Sequence, residues 1–473
     1  MNFDSSVYGY SSRRNVVYSK KGMVATGQPM AAQAGLDILK KGGNAIDAAI
    51  ATAATLTVVE PTSNGIGGDS FALVWVKDKL YGLNSSGKSP KTISIESLKE
   101  RGVEEIPKYG FIPVTVPGAP AAWAELSKRF GKLPLTEVLE PAIRYASEGY
   151  VLTPNVAKLW GNAYKVFKDN FVGEEFDNWF KTFAPSGRAP KAGEVWKSPD
   201  HAETLKEIAR TNAESFYKGD LADKIDAFSR KYNGYIRKED LEEFECEWVD
   251  PISVNYRGYD VWEIPPNGHG IVALIALNIA KGFEFGARDT VDTLHKQIES
   301  MKLAFVDGQT HIADPRMMEV TVEQLLSEEY AQKRRSLIGD TAIMPEPGDP
   351  ATGGTVYMAT ADDEGNMVSF IQSNYMGFGS GLVVPGTGIA LHNRGHNFTL
   401  DPKHVNALAP SKKPYHTIIP AFLTKDGKAV GPFGVMGGFM QPQGHMQVAM
   451  NTIDFHMNPQ DALDAWRWQW VGG

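Results

Sequence analysis

Residues Asp349–Asn366 read DPATGGTVYMATADDEGN. Two glycines stand directly before Thr355, residues 355–361 alternate as a strand, and DDEGN turns the chain into a second strand over 367–373. A Gly-Gly-Thr at a strand entrance has two meanings. In one, glycines punctuate a turn and threonine is a good strand former. In the other, Gly354–Thr355 is a peptide bond made to be broken. A threonine hydroxyl is a poor nucleophile and needs an adjacent base. A threonine at a new N-terminus carries its own base, an α-amine with an ordinary pKa of ~7.7–8.0. Cutting before Thr355 creates that pair, and Gly354 leaves the carbonyl accessible and the backbone free to adopt strained angles.

Outward from this hairpin the same grammar recurs. PAFLTKDGKAVGPFG reads as a hairpin around KDG, and PTSNGIGGDSFALVWVKDKLYGLNSS as a glycine loop followed by strand, turn and strand. PMAAQAGLDILKK, residues 29–41, reads as a helix with Pro29 in its first turn and Gly42 as its stop. The alanine-rich helix that follows is capped by Asn44, with Asp47 three residues on. Residues from about 120 to 345 read as mostly helical, and QGHMQVAMNTIDFHM returns to helix. Hairpins at both ends of the chain and helices outside them predict an α+β fold. Its simplest form is a four-layer αββα sandwich with an additional helical region.

The 473 residues suffice for a large core, 42% are hydrophobic and 22% charged, and the 47 glycines predict many tight turns. The net charge is −8 without a basic arm or cluster, so no nucleic-acid partner is expected. No run approaches a membrane span, and the first residues hold no apolar signal core, so a cytoplasmic protein without membrane attachment is expected. The single cysteine, Cys246, forms no internal disulfide and lies in no metal-binding pattern. His392 and His396 in HNRGH are four apart, but Gly395 lies between them and no third ligand is near, so neither metal nor cofactor is expected. The last residues, DALDAWRWQWVGG, read as the middle of a domain.

The motifs MVATGQPMAAQAG, GGNAIDAA, VEPTSNGIGGDSF, VTVPGAPAAW, GGTVYMATADDEGN, GFGSG, HNRG and VMGG follow one another along nearly the whole chain. In that order they resemble the γ-glutamyltransferase family of N-terminal-nucleophile (Ntn) hydrolases, including its cephalosporin-acylase-like members. The resemblance implies a precursor that cuts itself before Thr355 into a large segment, 1–354, and a small segment, 355–473, which lacks the natural C-terminus. It implies Thr355 as the nucleophile and Gly437 and Gly438 as the oxyanion-holding pair. Ser373 is implied as a hydroxyl beside the nucleophile. A homodimer of processed units is compatible with it.

The chain departs from the family pattern around the acyl group. Ser86 stands where an arginine usually holds the α-carboxylate, with Lys88 two residues on. Asn397 replaces the acid that holds the ammonium. Tyr375 stands where many members have asparagine, His416 and Thr417 replace two serines, and Arg394 replaces a glutamine. With this loss of negative charge and gain of positive charge, a carboxylate-terminated glutaryl amide is expected to be cleaved comparably to, or better than, a γ-glutamyl amide. The leading reading is a γ-glutamyltransferase-like hydrolase of small-molecule, glutathione-like amides. The alternatives are a glutaryl or cephalosporin acylase and an unprocessed relative that only binds ligand.

Overall fold

A computed structural model describes residues 14–345 and 354–472. Two antiparallel sheets form its centre. The first has strands β1 (Gly22–Thr26), β2 (Asp69–Val76), β3 (Lys79–Ser85), β4 (Glu247–Val249), β7 (Gly354–Asp362) and β8 (Met367–Tyr375), in the order β1-β7-β8-β2-β3-β4. The second has β5 (Ile252–Tyr256), β6 (Tyr259–Glu263), β9 (Ala421–Lys425) and β10 (Lys428–Phe433), in the order β10-β9-β6-β5. The strand that carries Thr355 as its second residue is therefore interior to its sheet, between β1 and β8.

Alternation along the strands creates the layers. Phe71, Leu73 and Trp75 of β2 join Ile371, Ile264, Ile418 and Phe422 in a core between the two sheets. Ala72 and Val74 point the other way, with Val356, Met358, Val368 and Phe370, into a core shared with the outer helices. Those helices include α1 (Pro29–Lys40), α2 (Ala45–Val59) and α3 (Ala119–Phe130). On the far side, α4 (Gly270–Ala280), α5 (Val291–His311) and α6 (Met440–Ile453) cover the second sheet through Val254, Tyr256, Val261 and Leu423. The result is the expected αββα sandwich. The segment read as mostly helical also supplies β4, β5 and β6, so the second sheet is drawn from both halves of the chain.

The turn between β7 and β8 is pinned to α2. Asn44 caps α2 in a full capping box with Asp47. Asp362 accepts the Ala45 N–H at 2.8 Å, and Thr360 donates to the Ala45 carbonyl at 2.7 Å. This fixes the far end of β7 and hence the register that presents Thr355 at the near end.

Candidate active site

Val356 pairs with Gln372 and Gly354 with Tyr375, so Ser373 and Asn374 together stand opposite Thr355. Two residues against one is a β-bulge, which re-aims side chains at the end of a ladder. Thr355 Oγ1 lies 3.2 Å from Ser373 Oγ, and that serine oxygen accepts the Tyr375 N–H at 2.8 Å. Strand alternation turns Thr355, Ser373 and Asp69 toward the second sheet, on the same face as Tyr357, Ile371 and Phe71. Thr355 is buried.

The bulge has a backbone cost. Tyr375 has φ +71°, a left-handed conformation that is strained for a bulky residue. Asn374 is fully buried against the NGIGG loop, where a Cβ at Gly65 or Gly68 would lie 3.0 Å from its amide atoms. Neither side-chain amide atom of Asn374 has a hydrogen-bond partner among the described residues.

The loop after β10 comes to the same place from the other sheet. At Gly434 a Cβ would stand 2.5 Å from the Tyr357 ring, two residues along β7 from Thr355. The loop continues through Gly437 and Gly438, with φ +118° and +59°, into α6. Their carbonyls accept the N–H groups of Met440 and Gln441 at 3.0 Å, while among the described residues their own N–H groups find no backbone acceptor. Among the described residues these amides are open at the N-terminus of a 14-residue helix, an end whose dipole favours negative charge.

Behind Ser373, its register partner Asp69 is the hub of a buried polar cluster. Asp69 accepts from Arg394 Nε at 2.8 Å and Nη2 at 3.0 Å, from His416 Nε2 at 2.8 Å, and pairs with His392 Nδ1 at 3.1 Å. Burial pushes its carboxyl up, but the Arg394 charge together with the hydrogen bonds from His416 and His392 outweighs this and holds it well below the usual range. Burial, helped by Arg394, lowers His416 to about 4, so it is neutral at pH 7. Arg394 is 1% exposed, donates its third arm to Thr417 Oγ1 at 2.7 Å, and lies 4.6 Å from the Tyr375 ring centre. The positive charge expected near the acyl group is thus neutralised by Asp69.

A cavity of about 690 Å³ opens beside the bulge and the glycine loop, bounded by Tyr375, Asn397, Tyr415 and Phe439. Among the described residues its lining includes the carboxylates Glu104, Glu105 and Asp401, and neither lysine nor arginine. The Tyr375 hydroxyl has no partner among the described residues, and burial raises it to about 12. Asn397 donates to the Tyr415 carbonyl at 3.0 Å. Lys88 is exposed and lines a different cleft of about 220 Å³ with Ser86, Lys91 and Lys413. Three strand spacings, roughly 14 Å, separate β7 from β3, the strand that leads to Lys88. The structure therefore groups Thr355 with Ser373, and Tyr375 with Asn397, and leaves Lys88 apart. In HNRGH, His392 turns to Asp69 and His396 to the Ile106 carbonyl at 2.7 Å. Asp69, Asn374, Tyr415 and Phe439 were not singled out from the sequence.

Two sheets between helical layers, with a threonine at the mouth of an interior strand and a glycine loop from the second sheet packed on that strand at Tyr357, define the class as the Ntn hydrolases. Within that class the chain belongs to the gamma-glutamyltranspeptidase family, whose model matches residues 31–472. It is 36% identical to the glutathione hydrolase-like YwrD proenzyme of Bacillus subtilis over 96% of this chain and 86% of that protein. It is 33% identical to the oxamate amidohydrolase proenzyme of Klebsiella pneumoniae over 95% of this chain and 85% of that protein. The crystal structure of cephalosporin acylase from Bacillus halodurans is 66% identical, with a TM-score of 0.98 over 100% of this chain and 88% of that one. No helix among the described residues is long and apolar enough to cross a membrane.

Proposed function

We propose that the chain cuts itself before Thr355 and that the processed enzyme transfers γ-glutamyl-type acyl groups from amides to water or an amine. The observation that carries this reading is the Thr355–Ser373 contact at the bulge, on the strand against which the glycine loop before α6 packs. In the mechanism, the freed Thr355 amine takes the proton from Thr355 Oγ1, which attacks the amide carbonyl. The Gly437 and Gly438 N–H groups hold the oxyanion; one such donor is worth ~2.7–4 kcal/mol in comparable sites. Collapse breaks the C–N bond, the Thr355 ammonium returns its proton to the leaving amine, and a threonyl ester remains. Water or an amine then attacks the ester by the same route and regenerates Thr355. Ser373 orients the hydroxyl in both halves.

Tyr375 and Asn397 line the acyl pocket; Arg394 sits behind the Tyr375 ring, and Thr417 and His416 hold the Arg394–Asp69 cluster in place and act on the pocket only through it. The carboxylates of this cavity suit a substrate that carries an ammonium, which favours γ-glutamyl over glutaryl amides. The acylase reading stays as the second, because the 66% identical structure is of a cephalosporin acylase. Intact mass with N-terminal sequencing tests the first step: of 473 residues, cleavage before Thr355 leaves pieces of 354 and 119, the smaller beginning Thr-Val-Tyr-Met. γ-Glutamyl- and glutaryl-p-nitroanilide test the second. Preference for the γ-glutamyl compound is expected, equal or better glutaryl turnover gives the acylase reading, and a stable uncut chain removes both.

A further inference from the structure

A second buried ionisable pair lies under the glycine loop, outside the mechanism above. Glu263 ends β6, and His445 stands in the second turn of α6; both are fully buried, with His445 Nδ1 2.6 Å from Glu263 Oε1. Glu263 is the register partner of Ala421 at the first residue of β9, and Ala421 pairs with Phe433, after which the glycine loop begins. The His445 ring lies 5.3 Å from that Phe433 ring. Gln441, in the first turn of α6, accepts the Ile419 N–H at 2.9 Å and ties the helix entrance to the same end of the sheet.

This pair is poorly satisfied for its depth. Glu263 Oε2, His445 Nε2 and Gln441 Nε2 have no hydrogen-bond partner among the described residues, nor does Nε2 of the neighbouring buried His269. A Cβ at Gly270 would stand 2.8 Å from Glu263 Oε2, so the backbone approaches the carboxylate as closely as a glycine allows. A helix anchor built for stability alone is better made of apolar side chains, because a buried ion pair seldom recovers its desolvation. Unsatisfied buried polar atoms call for a role.

We propose that Glu263 and His445 are positioning residues for the oxyanion site. Their short bond fixes α6 against β6 and thereby sets where the Gly437 and Gly438 amides point. The pair touches neither substrate nor Thr355. It acts on the step in which the carbonyl oxygen gains charge, and so on turnover more than on substrate binding. This assignment rests on the acyl-transfer reading of the glycine pair.

The test is Glu263→Gln, which keeps the shape and removes the charge, assayed on processed protein with γ-glutamyl- and glutaryl-p-nitroanilide. On whichever anilide the wild type cleaves, kcat should fall about 10–100-fold, below or near the loss of a whole oxyanion donor. KM should stay within about twofold and the melting temperature should not drop. His445→Gln, approaching the same bond from the helix, should reproduce the split. Unchanged kcat in both variants overturns the assignment alone. Parallel losses in kcat, KM and melting temperature, or failure to fold, make the pair structural and also overturn it. A wild-type enzyme inactive on both anilides overturns the acyl-transfer reading and this assignment with it.

Discussion

Two buried carboxylates stand at the same end of the sandwich, one in each sheet, and they are treated in opposite ways. Asp69 receives two arms of Arg394 and the rings of His392 and His416, and Thr417 takes the remaining arm. Glu263 has one partner, and both it and His445 keep an atom without one among the described residues. Both clusters are fully buried. A charge sunk in a low-dielectric interior is tolerated when every donor and acceptor is answered. Asp69 meets that condition and behaves as structure. Glu263 does not, and its retention points to what it holds in place.

The strongest way to break this contrast is Asp69→Ala. Arg394 would be left buried without its counter-charge, and a loss of ~3–5 kcal/mol is expected from chemical denaturation. The mirror experiment replaces the other pair, Glu263→Met with His445→Leu. Stability should then be unchanged or higher by ~1–4 kcal/mol while turnover falls, because apolar groups fill the space without a desolvation cost. If both replacements destabilise alike, the contrast disappears. Tyr375→Phe is a smaller probe. The hydroxyl has no partner to lose, so the melting temperature should hold while KM for the preferred anilide rises several-fold, by the ~0.5–1.5 kcal/mol of a hydrogen bond.

Titration gives the smallest effect and the finest distinction. Burial raises Glu263 from 4.5 to about 7. Between those values the folded state binds more protons than the unfolded one, so this group's stabilisation is complete below about pH 4.5 and is lost as pH rises through about 7. Asp69 is lowered instead, so its contribution is present above the ordinary carboxylate range and is lost only as pH falls through its depressed value. Melting temperatures of wild type and Glu263→Gln should therefore diverge in favour of the variant from pH 5 to pH 7.5. A parallel pair of curves would place the Glu263 pKa in its ordinary range.

Much of this was legible in the chain because it is local. The hairpin around DDEGN, the Asn44 cap and the KDG hairpin each lie within a few residues of their own signals. Strands β4–β6 were absorbed into a helical reading because EWVDPISVNYRGYDVWEIP consists of short strands among charged residues, although YRGYD is a hairpin turn. The Asp69 hub was out of reach because its partners lie 323, 325 and 347 positions away. Without Asp69, Arg394 reads as an open charge facing the substrate. Residues two apart share a face only within a strand, and β3 ends at Ser85, so Lys88 need not point where Ser86 does. The glycine pair was legible as motif, but the helix dipole behind it depends on where α6 begins.

The order of strands in the two sheets has a consequence for the nicked molecule. A cut before Thr355 would divide the chain but not the sheets. β7 and β8 would remain wedged between β1 and β2, and β9 would still zip to β6. Each piece would supply strands that only the other can flank, so neither would own a finished core. Such a pair cannot part on dilution as docked subunits do, since separation and unfolding are one event. Processing would then free an amine while leaving the molecule, in its thermodynamics, a single body.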